Sequence, residues 1–150
     1  MKVRLSVRYG LARRGLPSVV TLRRYARAAL QGLRRASAQV DLHIVGTREG
    51  ARLNARYRGK SGATNVLSFP FVTPPGTRSD LLGDVVICAP VVRREAREQG
   101  KDERAHWAHM VVHGVLHLRG YDHATDEQAA AMERREAGAL RSLGFANPYS

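Results

Sequence analysis

The 150-residue sequence predicts an α+β fold, an α/β sandwich in which a mixed four-stranded sheet packs with about five helices. Two observations favour this class. Four short segments have the apolar or alternating pattern of strands, and five longer segments carry apolar residues at helical spacing. Their order is β-α-β-α-β-β-α-α-α, and no repeat or linker interrupts it. Residues 1–150 are therefore expected to form a single domain.

The first strand and the first helix are predicted within the first 35 residues. Residues 2–8 alternate polar and apolar side chains, as in a strand with one exposed face. Residues 17–35 carry apolar side chains at helical spacing among many arginines, which indicates a basic amphipathic helix. Ser18, which follows a proline, is the candidate N-cap of this helix.

A second strand, a second helix and a third strand follow. Residues 40–45 have strand character and are ended by a glycine, and Thr47 is the candidate cap of a helix that reaches about residue 57. We expect Leu53 and Tyr57 on the inner face of this helix. Residues 64–69 have strand character and are stopped by a proline.

The second half of the chain is predicted to contain one more strand and three helices. Residues 73–80 are dense in turn formers and are predicted to form a mobile loop. The strand at residues 83–88 ends with Cys88, the only cysteine, which is expected to be buried. Thr125 and Gln128 have the spacing of a capping box at the start of the last helix. The predicted helices are residues 90–100, 102–119 and 125–143.

Three histidines at the end of the predicted central helix, residues 102–119, have the spacing of a metal site. His113 and His117 are four residues apart, so both project from one helix face. Gly120 permits the left-handed conformation that ends a helix, which brings His123 towards the first two. Three neutral nitrogen ligands and an open fourth position are typical of catalytic zinc. The sequence therefore predicts one Zn²⁺, and imidazoles also suit other divalent transition metals.

Other polar residues near this motif have alternative interpretations. His109 continues the series, but eight residues of helix rise about 12 Å, so His109 and His117 cannot bind one ion from an unbroken helix. His109 either supports a ligand from behind or packs beside Trp107 or the sheet. Asp122 either orients a ligand by accepting an imidazole N–H or caps the following helix. His106 is expected to be exposed.

The residue after the first histidine affects which chemistry the motif favours. Metalloproteases with this spacing carry a glutamate there as general base, whereas this sequence has Gly114. A bound metal can generate hydroxide without that base, and phosphodiester cleavage requires stabilisation of negative charge. Arginine suits this task because it binds phosphate in a bidentate way. Arg58, which precedes the third strand, is either that arginine or a solvated loop charge.

The positive charge is concentrated in the first 60 residues. They hold 15 Lys and Arg against two acids, a net charge of +13, whereas residues 61–150 have a net charge of −1. Coding bias explains Arg in place of Lys but not the missing acids, so a polyanion such as RNA or DNA is the expected partner. No signal-peptide pattern and no apolar run of about 20 residues are found. With a single cysteine, the chain is expected in the cytoplasm and not in a membrane.

Several of these segments together resemble the YbeY family of metal-dependent endoribonucleases. The resemblance covers about residues 40–149. It rests on Leu53-Asn54, Tyr57-Arg58, the segment from Thr64 to Pro70, Gly83-Asp84-Val85 and the motif from His113 to His123. It implies a mixed four-stranded sheet with the metal helix packed against it. It also implies that His113, His117 and His123 hold the ion, usually zinc, and that Arg58 is required for activity.

The same resemblance implies single-stranded RNA as the substrate, maturation of the 3′ end of small-subunit (16S) ribosomal RNA, and a part in ribosome quality control. The partners would be this RNA and the small ribosomal subunit or its proteins. We expect RNA to enter a groove between the third strand and the metal helix. Asn65 and Ser68 are candidate substrate contacts there, or they serve strand packing. Two other functions fit part of the pattern: a metal-stabilised RNA-binding assembly factor with little catalysis, and another zinc hydrolase such as a protease.

Overall fold

The computed structural model describes residues 1–150 and has the predicted order of elements. The strands are β1 (Lys2–Tyr9), β2 (Ser37–Val45), β3 (Val66–Pro70) and β4 (Leu81–Cys88). The helices are α1 (Val19–Ala29), α2 (Thr47–Arg58), α3 (Ala89–Glu98), α4 (Glu103–Leu118) and α5 (Asp126–Ser142). The prediction of an α+β fold with a mixed four-stranded sheet and five helices is confirmed.

The sheet has the strand order β1-β2-β4-β3. β1, β2 and β4 are parallel, and β3 runs antiparallel to β4 at the edge. Parallel neighbours need a crossover connection. Helix α1 provides it between β1 and β2, while α2 and β3 lie between β2 and β4 in the chain. β3 therefore has one strand neighbour, and its other side borders the site described below.

Helix α4 is the central helix of the layer that covers one face of the sheet. It contacts α1, α3, α5, β3 and β4, and a core of 27 buried residues surrounds it. Burial on several sides explains why apolar residues occur around most of α4 rather than along one stripe. A smaller buried cluster joins the other face of the sheet to α3, with half-buried Leu53 of α2 packed against it. The metal motif is thus carried by the most enclosed helix of the fold.

Several local predictions are confirmed. The Ser18 hydroxyl accepts a hydrogen bond from the backbone N–H of Thr21 and caps α1. Thr125 and Gln128 form a complete capping box at the start of α5. Cys88 is 1% exposed at the end of β4. These signals depend on neighbours in the chain, which is why the sequence alone reveals them.

Two predicted helix ends are wrong. α1 ends at Ala29 rather than near residue 35, because the chain turns at Gly32, whose φ is 80°. Gly46, and not Thr47, is the N-cap of α2, and no side chain caps this end. Neither change alters the layer in which the helix lies.

Two side chains have exposures opposite to those expected. His106 is only 4% exposed, because the packed helices α3 and α4 enclose it and its Nε2 lies 2.9 Å from Oε1 of Glu95. Tyr57, in the last turn of α2, is 54% exposed. Only part of its ring is covered, where Phe69 packs against it. The burial of His106 depends on a partner from another helix, and the period of its own helix does not contain that information.

The loop predicted at residues 73–80 is an exposed segment without regular structure between β3 and β4. Its end is attached to the rest of the protein: the guanidinium of Arg35 donates to the carbonyl of Ser79 at 2.7 Å, and the backbone N–H of Gln39 donates to the carbonyl of Asp80 at 2.8 Å. None of the five helices combines the length and the apolar character of a membrane-spanning segment.

Candidate metal centre and its cleft

The last turns of α4 and the loop after it bring three histidines together. The ring centroids of His113 and His117 are 4.8 Å apart on one face of the helix. Gly120 has a φ of 100°, which a side chain would disfavour, and the chain turns back there. The ring of His123 consequently lies 5.1 Å from that of His117 and 5.9 Å from that of His113.

The donor atoms of this cluster fit one metal ion. One ligand nitrogen from each histidine lies within 4.8 Å of the other two. Nitrogens on one tetrahedral zinc are about 3.4 Å apart, a difference that side-chain rotation can close. Burial, and then the neighbouring His113 and His123, lower the pKa of His117 below its usual value. A lowered pKa favours the neutral imidazole, which is the form that binds metals.

Glu136 of α5 orients His113 by binding Nδ1 of its ring. Its side chain is 1% exposed, and its Oε1 lies 2.5 Å from Nδ1 of His113. Burial alone would raise the pKa of Glu136, but hydrogen bonds from His109, His113 and Tyr149 lower it to about 2. The ionised carboxylate can only accept hydrogen bonds, so Nδ1 of His113 carries the proton. Nε2 of His113 then keeps its lone pair for a metal ion.

The second oxygen of the same carboxylate is bound by His109 and Tyr149. Nε2 of His109 lies 3.0 Å from Oε2 of Glu136, and the hydroxyl of Tyr149 donates to this oxygen. Burial, and then the hydrogen bond to Glu136, raise the pKa of Tyr149, so its hydroxyl keeps the proton that it donates. His109 therefore contacts the carboxylate that orients His113, and it is not one of the three clustered histidines.

Glu136 is a functional candidate that the sequence patterns did not single out, although a signal for it exists. Met132, Glu136 and Leu140 follow one another at intervals of four along α5, and each is 1% exposed. An acid within an apolar helical stripe indicates a buried charge that needs partners. The identity of those partners depends on how α5 packs against α4, which the stripe does not reveal.

Replacing Glu136 with glutamine is expected to weaken metal binding about 10- to 100-fold. The amide preserves the size of the side chain, but its NH₂ group can only donate hydrogen bonds. The glutamine therefore cannot accept hydrogen bonds from His109, His113 and Tyr149 together. Competition with a chromophoric chelator measures the affinity. Glu127→Gln, an exposed change in the same helix, is the matched control and should bind metal like the parent. Equal affinities for parent and Glu136→Gln would contradict the orienting role.

A cleft of about 610 Å³ opens over the three histidines and is lined on one side by β3. Arg58 also lines it, from the last residue of α2, and its side chain is exposed. Gly59, with a φ of 65°, ends the helix directly after Arg58. Buried Asn54 then fixes the following turn, because its Nδ2 donates to the carbonyl of Gly62 at 2.8 Å. The structure thus places the predicted arginine and the predicted ligands around one cleft.

Asn65 and Ser68 line the same cleft, but their side chains are also bonded within the protein. Oγ of Ser68 donates to the carbonyl of Gly114 at 3.0 Å, which ties β3 to α4. Nδ2 of Asn65 lies 3.1 and 3.3 Å from the two carboxylate oxygens of Glu95. The first bond holds the wall of the cleft against α4, and the second ties the start of this wall to α3.

Asp122 lies at the rim of the cleft, and neither predicted role for it matches its contacts. Its Oδ1 accepts from the backbone N–H of His123 at 2.8 Å, and it makes no hydrogen bond to an imidazole. Thr125, and not Asp122, caps α5. Asp122 therefore shapes the loop that carries His123.

Gly114 lies where α4 comes close to the sheet. A Cβ at this position would be 2.6 Å from Cγ1 of Val85 and 3.3 Å from Cγ2 of Val66. One residue turns a helix by about 100°, so position 114 points to the sheet while His113 points to the cleft. A glutamate would collide with these valines instead of reaching a metal ion. The close helix–sheet packing at position 114 is therefore incompatible with the glutamate that serves as base in the proteases.

The sequence and the fold are both similar to those of known proteins. Residues 19–144 match the family model described as Endoribonuclease YbeY. The chain is 58% identical over 134 residues to the Endoribonuclease YbeY of Methylococcus capsulatus, with 89% of this chain and 87% of that protein covered. The chain is 56% identical over 149 residues to the protein of the same name from Alkalilimnicola ehrlichii, with 97% of this chain and 90% of that protein covered. The solution structure of TM1509 from Thermotoga maritima has a similar fold, with a TM-score of 0.60 and 23% sequence identity. The match covers 95% of this chain and 91% of that chain.

Proposed function

The chain belongs to the endoribonuclease YbeY family, and from this premise we propose that it is a metal-dependent endoribonuclease that hydrolyses phosphodiester bonds in single-stranded RNA. The observation that carries the proposal is the presence of three clustered imidazoles and Arg58 around one cleft. The activity belongs to one domain comprising residues 1–150. The main core of 27 buried residues, to which helices and strands from both halves contribute, supports this assignment.

The metal is one Zn²⁺ held by His113, His117 and His123, and the donor set also suits other divalent transition metals. A bound ion supplies Lewis acidity at the phosphodiester. The protein supplies the orientation: Glu136 keeps the proton of His113 on Nδ1, and Asp122 holds the backbone of His123. Ligand positions fixed in this way reduce the rearrangement that binding requires.

Arg58 acts on the substrate. Its guanidinium is exposed at the rim of the cleft, where it can bind a phosphate through two parallel N–H groups. Charge on the phosphate oxygens increases as the attacking oxygen approaches, so a cation bound there stabilises the transition state more than the ground state. The turn fixed by Asn54 keeps this arginine at the cleft.

Charge supports RNA as the substrate. The first 60 residues carry a net charge of +13, and α2 displays Arg48 and Arg56 at exposed positions, whereas Arg52 between them is paired with Glu49. Arg48 and Arg56 lie on the helix that ends at Arg58, so they can attract an RNA backbone towards the cleft. A protease would have no use for this charge, and the crowding at Gly114 leaves no room for its base.

The biological substrate is the 3′ end of small-subunit (16S) ribosomal RNA, cut during maturation and ribosome quality control in the cytoplasm. This assignment rests on the family resemblance. The small ribosomal subunit or its proteins are the corresponding partners. The single cysteine, which is buried, is compatible with a reducing compartment.

Metal removal tests the proposed function. The purified protein should contain about one transition-metal ion per chain, and it should cut single-stranded ribosomal RNA faster than the same sequence in a duplex. Stripping the ion with a chelator should abolish cleavage, and adding Zn²⁺ should restore it. Mass spectrometry of the metal and gel analysis of the RNA give both measurements.

The outcomes separate the competing functions. Cleavage that continues after the metal is lost would indicate a contaminating nuclease and contradict the proposal. Tight RNA binding without cleavage in any metal state would favour an assembly factor stabilised by its ion. Cleavage of peptides but not of RNA would favour another hydrolase.

A further inference from the structure

Tyr57 is a large aromatic side chain on the surface beside the metal cleft. It is 54% exposed, so packing within the protein uses only part of its ring. Phe69 of β3 meets it edge-to-face, with 5.0 Å between ring centroids and 65° between ring planes. The guanidinium of Arg56 lies 5.4 Å from the centre of the Tyr57 ring. The ring is thus supported by neighbours and remains accessible.

Two clefts meet at this aromatic pair. Tyr57 and Phe69 line the metal cleft, and both also line a second cleft of about 660 Å³. A strand whose phosphate lies beside Arg58 therefore has a neighbouring nucleotide within reach of the preceding residue, Tyr57. The aromatic ridge between the two clefts lies where a base next to that phosphate would be placed.

The surroundings favour nucleic acid over an apolar partner at this ridge. Arg56 and Arg58 flank Tyr57 in the chain, and both are exposed. Proteins hold single strands with exposed aromatic rings that stack on bases and with nearby cations that bind the backbone. The edge-to-face contact with Phe69 supports the Tyr57 ring in place, which lowers the cost of ordering it on binding.

We propose that Tyr57 is a base-stacking platform that positions the nucleotide next to the scissile phosphate. The proposal deepens the proposed function, since it assumes RNA in the metal cleft. Stacking does not depend on base identity, because every base has a π-face. It requires an unpaired base, so Tyr57 would contribute to the preference for single strands.

Binding to a cleavage-resistant probe tests the proposal. The probe is a 2′-O-methyl phosphorothioate oligouridylate of about 10 nucleotides. Tyr57→Ala is expected to weaken its binding about 5- to 100-fold, because a stacked base loses its partner. Tyr57→Phe keeps the ring and should restore binding. The matched control is Phe71→Ala, which removes an exposed aromatic ring that lines neither cleft and should leave binding unchanged.

Fluorescence adds a readout that a purely structural role would not change. The only tryptophan, Trp107, is 1% exposed, so Tyr57→Trp introduces a second indole at the surface. The probe should quench this emission through stacking, and it should leave Phe71→Trp unaffected. Thermal unfolding of each variant confirms that the fold is retained.

The possible results test the stacking role of Tyr57 separately from the nuclease activity. Undiminished binding by Tyr57→Ala, equal losses in Tyr57→Ala and Phe71→Ala, or a Tyr57→Trp signal that RNA does not quench would each overturn the inference. A parent that binds the probe through Tyr57 but never cuts RNA would refute the nuclease and leave the platform supported. A parent that does not bind RNA would overturn both.

Discussion

Replacing His123 with alanine is expected to remove both the metal and the cleavage activity. Removing a residue that orients a ligand typically weakens metal binding about 10- to 100-fold. The loss of affinity in His123→Ala should be larger, because a ligand itself is removed. His123 is the best of the three histidines for this test. It is exposed in the loop after α4, and its ring neighbours in the structure are His113 and His117. Its removal therefore opens no cavity in the core.

Metal-free protein provides the control for this substitution. In excess chelator, parent and His123→Ala should unfold at the same temperature, because neither has an ion to lose. With Zn²⁺ present, only the parent should gain stability, since binding to the folded state alone shifts the folding equilibrium. Metal content equal to that of the parent, together with normal cleavage, would exclude His123 as a ligand.

Replacing Arg58 with alanine is expected to lower kcat/KM for RNA about 10²- to 10³-fold, the usual effect of removing one group that stabilises transition-state charge. The metal content and the unfolding temperature should not change, because Arg58 is exposed and follows the last buried position of α2. Arg58→Lys should recover only part of the loss, since an ammonium keeps the charge but not the bidentate geometry. Steady-state cleavage of a labelled single-stranded RNA measures these rates.

Arg48→Ala is the matched control for Arg58→Ala. It removes the same charge from the first turn of the same helix, and its side chain is exposed. We expect a small loss of RNA affinity and no change in the rate of the bound complex. If both substitutions lowered kcat/KM to the same extent, Arg58 would be one more attracting charge and not a group that acts on the scissile phosphate.

The fold could be predicted from the sequence because its signals are local. The alternation in β1, the helical spacing in α1 and the capping box of Thr125 and Gln128 each involve residues close in the chain. The errors in predicted side-chain exposure arose where contacts with residues distant in the chain matter. His106 is buried against Glu95 of another helix, and Tyr57 is 54% exposed although Phe69 of β3 packs against one edge of its ring.

The candidate site was predictable to a similar degree. The spacing of His113, His117 and His123 and the turn at Gly120 lie within one short segment, and the structure clusters these three side chains. The arginine in the cleft comes from a different element: the sequence pattern left Arg58 open between a phosphate ligand and a solvated charge, and the family resemblance favoured the first. Glu136 lies farther along the chain, and a carboxylate in an apolar stripe does not indicate which ring it will bind.

The close packing at Gly114 also limits how this protein can change in evolution. Since Val85 and Val66 occupy the space of a side chain, a mutation of Gly114 to glutamate would first reduce stability without adding a catalytic base. Smaller residues in both strands, or a shift of the whole helix, would have to come earlier. The two hydrolytic chemistries that share this histidine spacing are thus separated by several mutations that must occur in a restricted order.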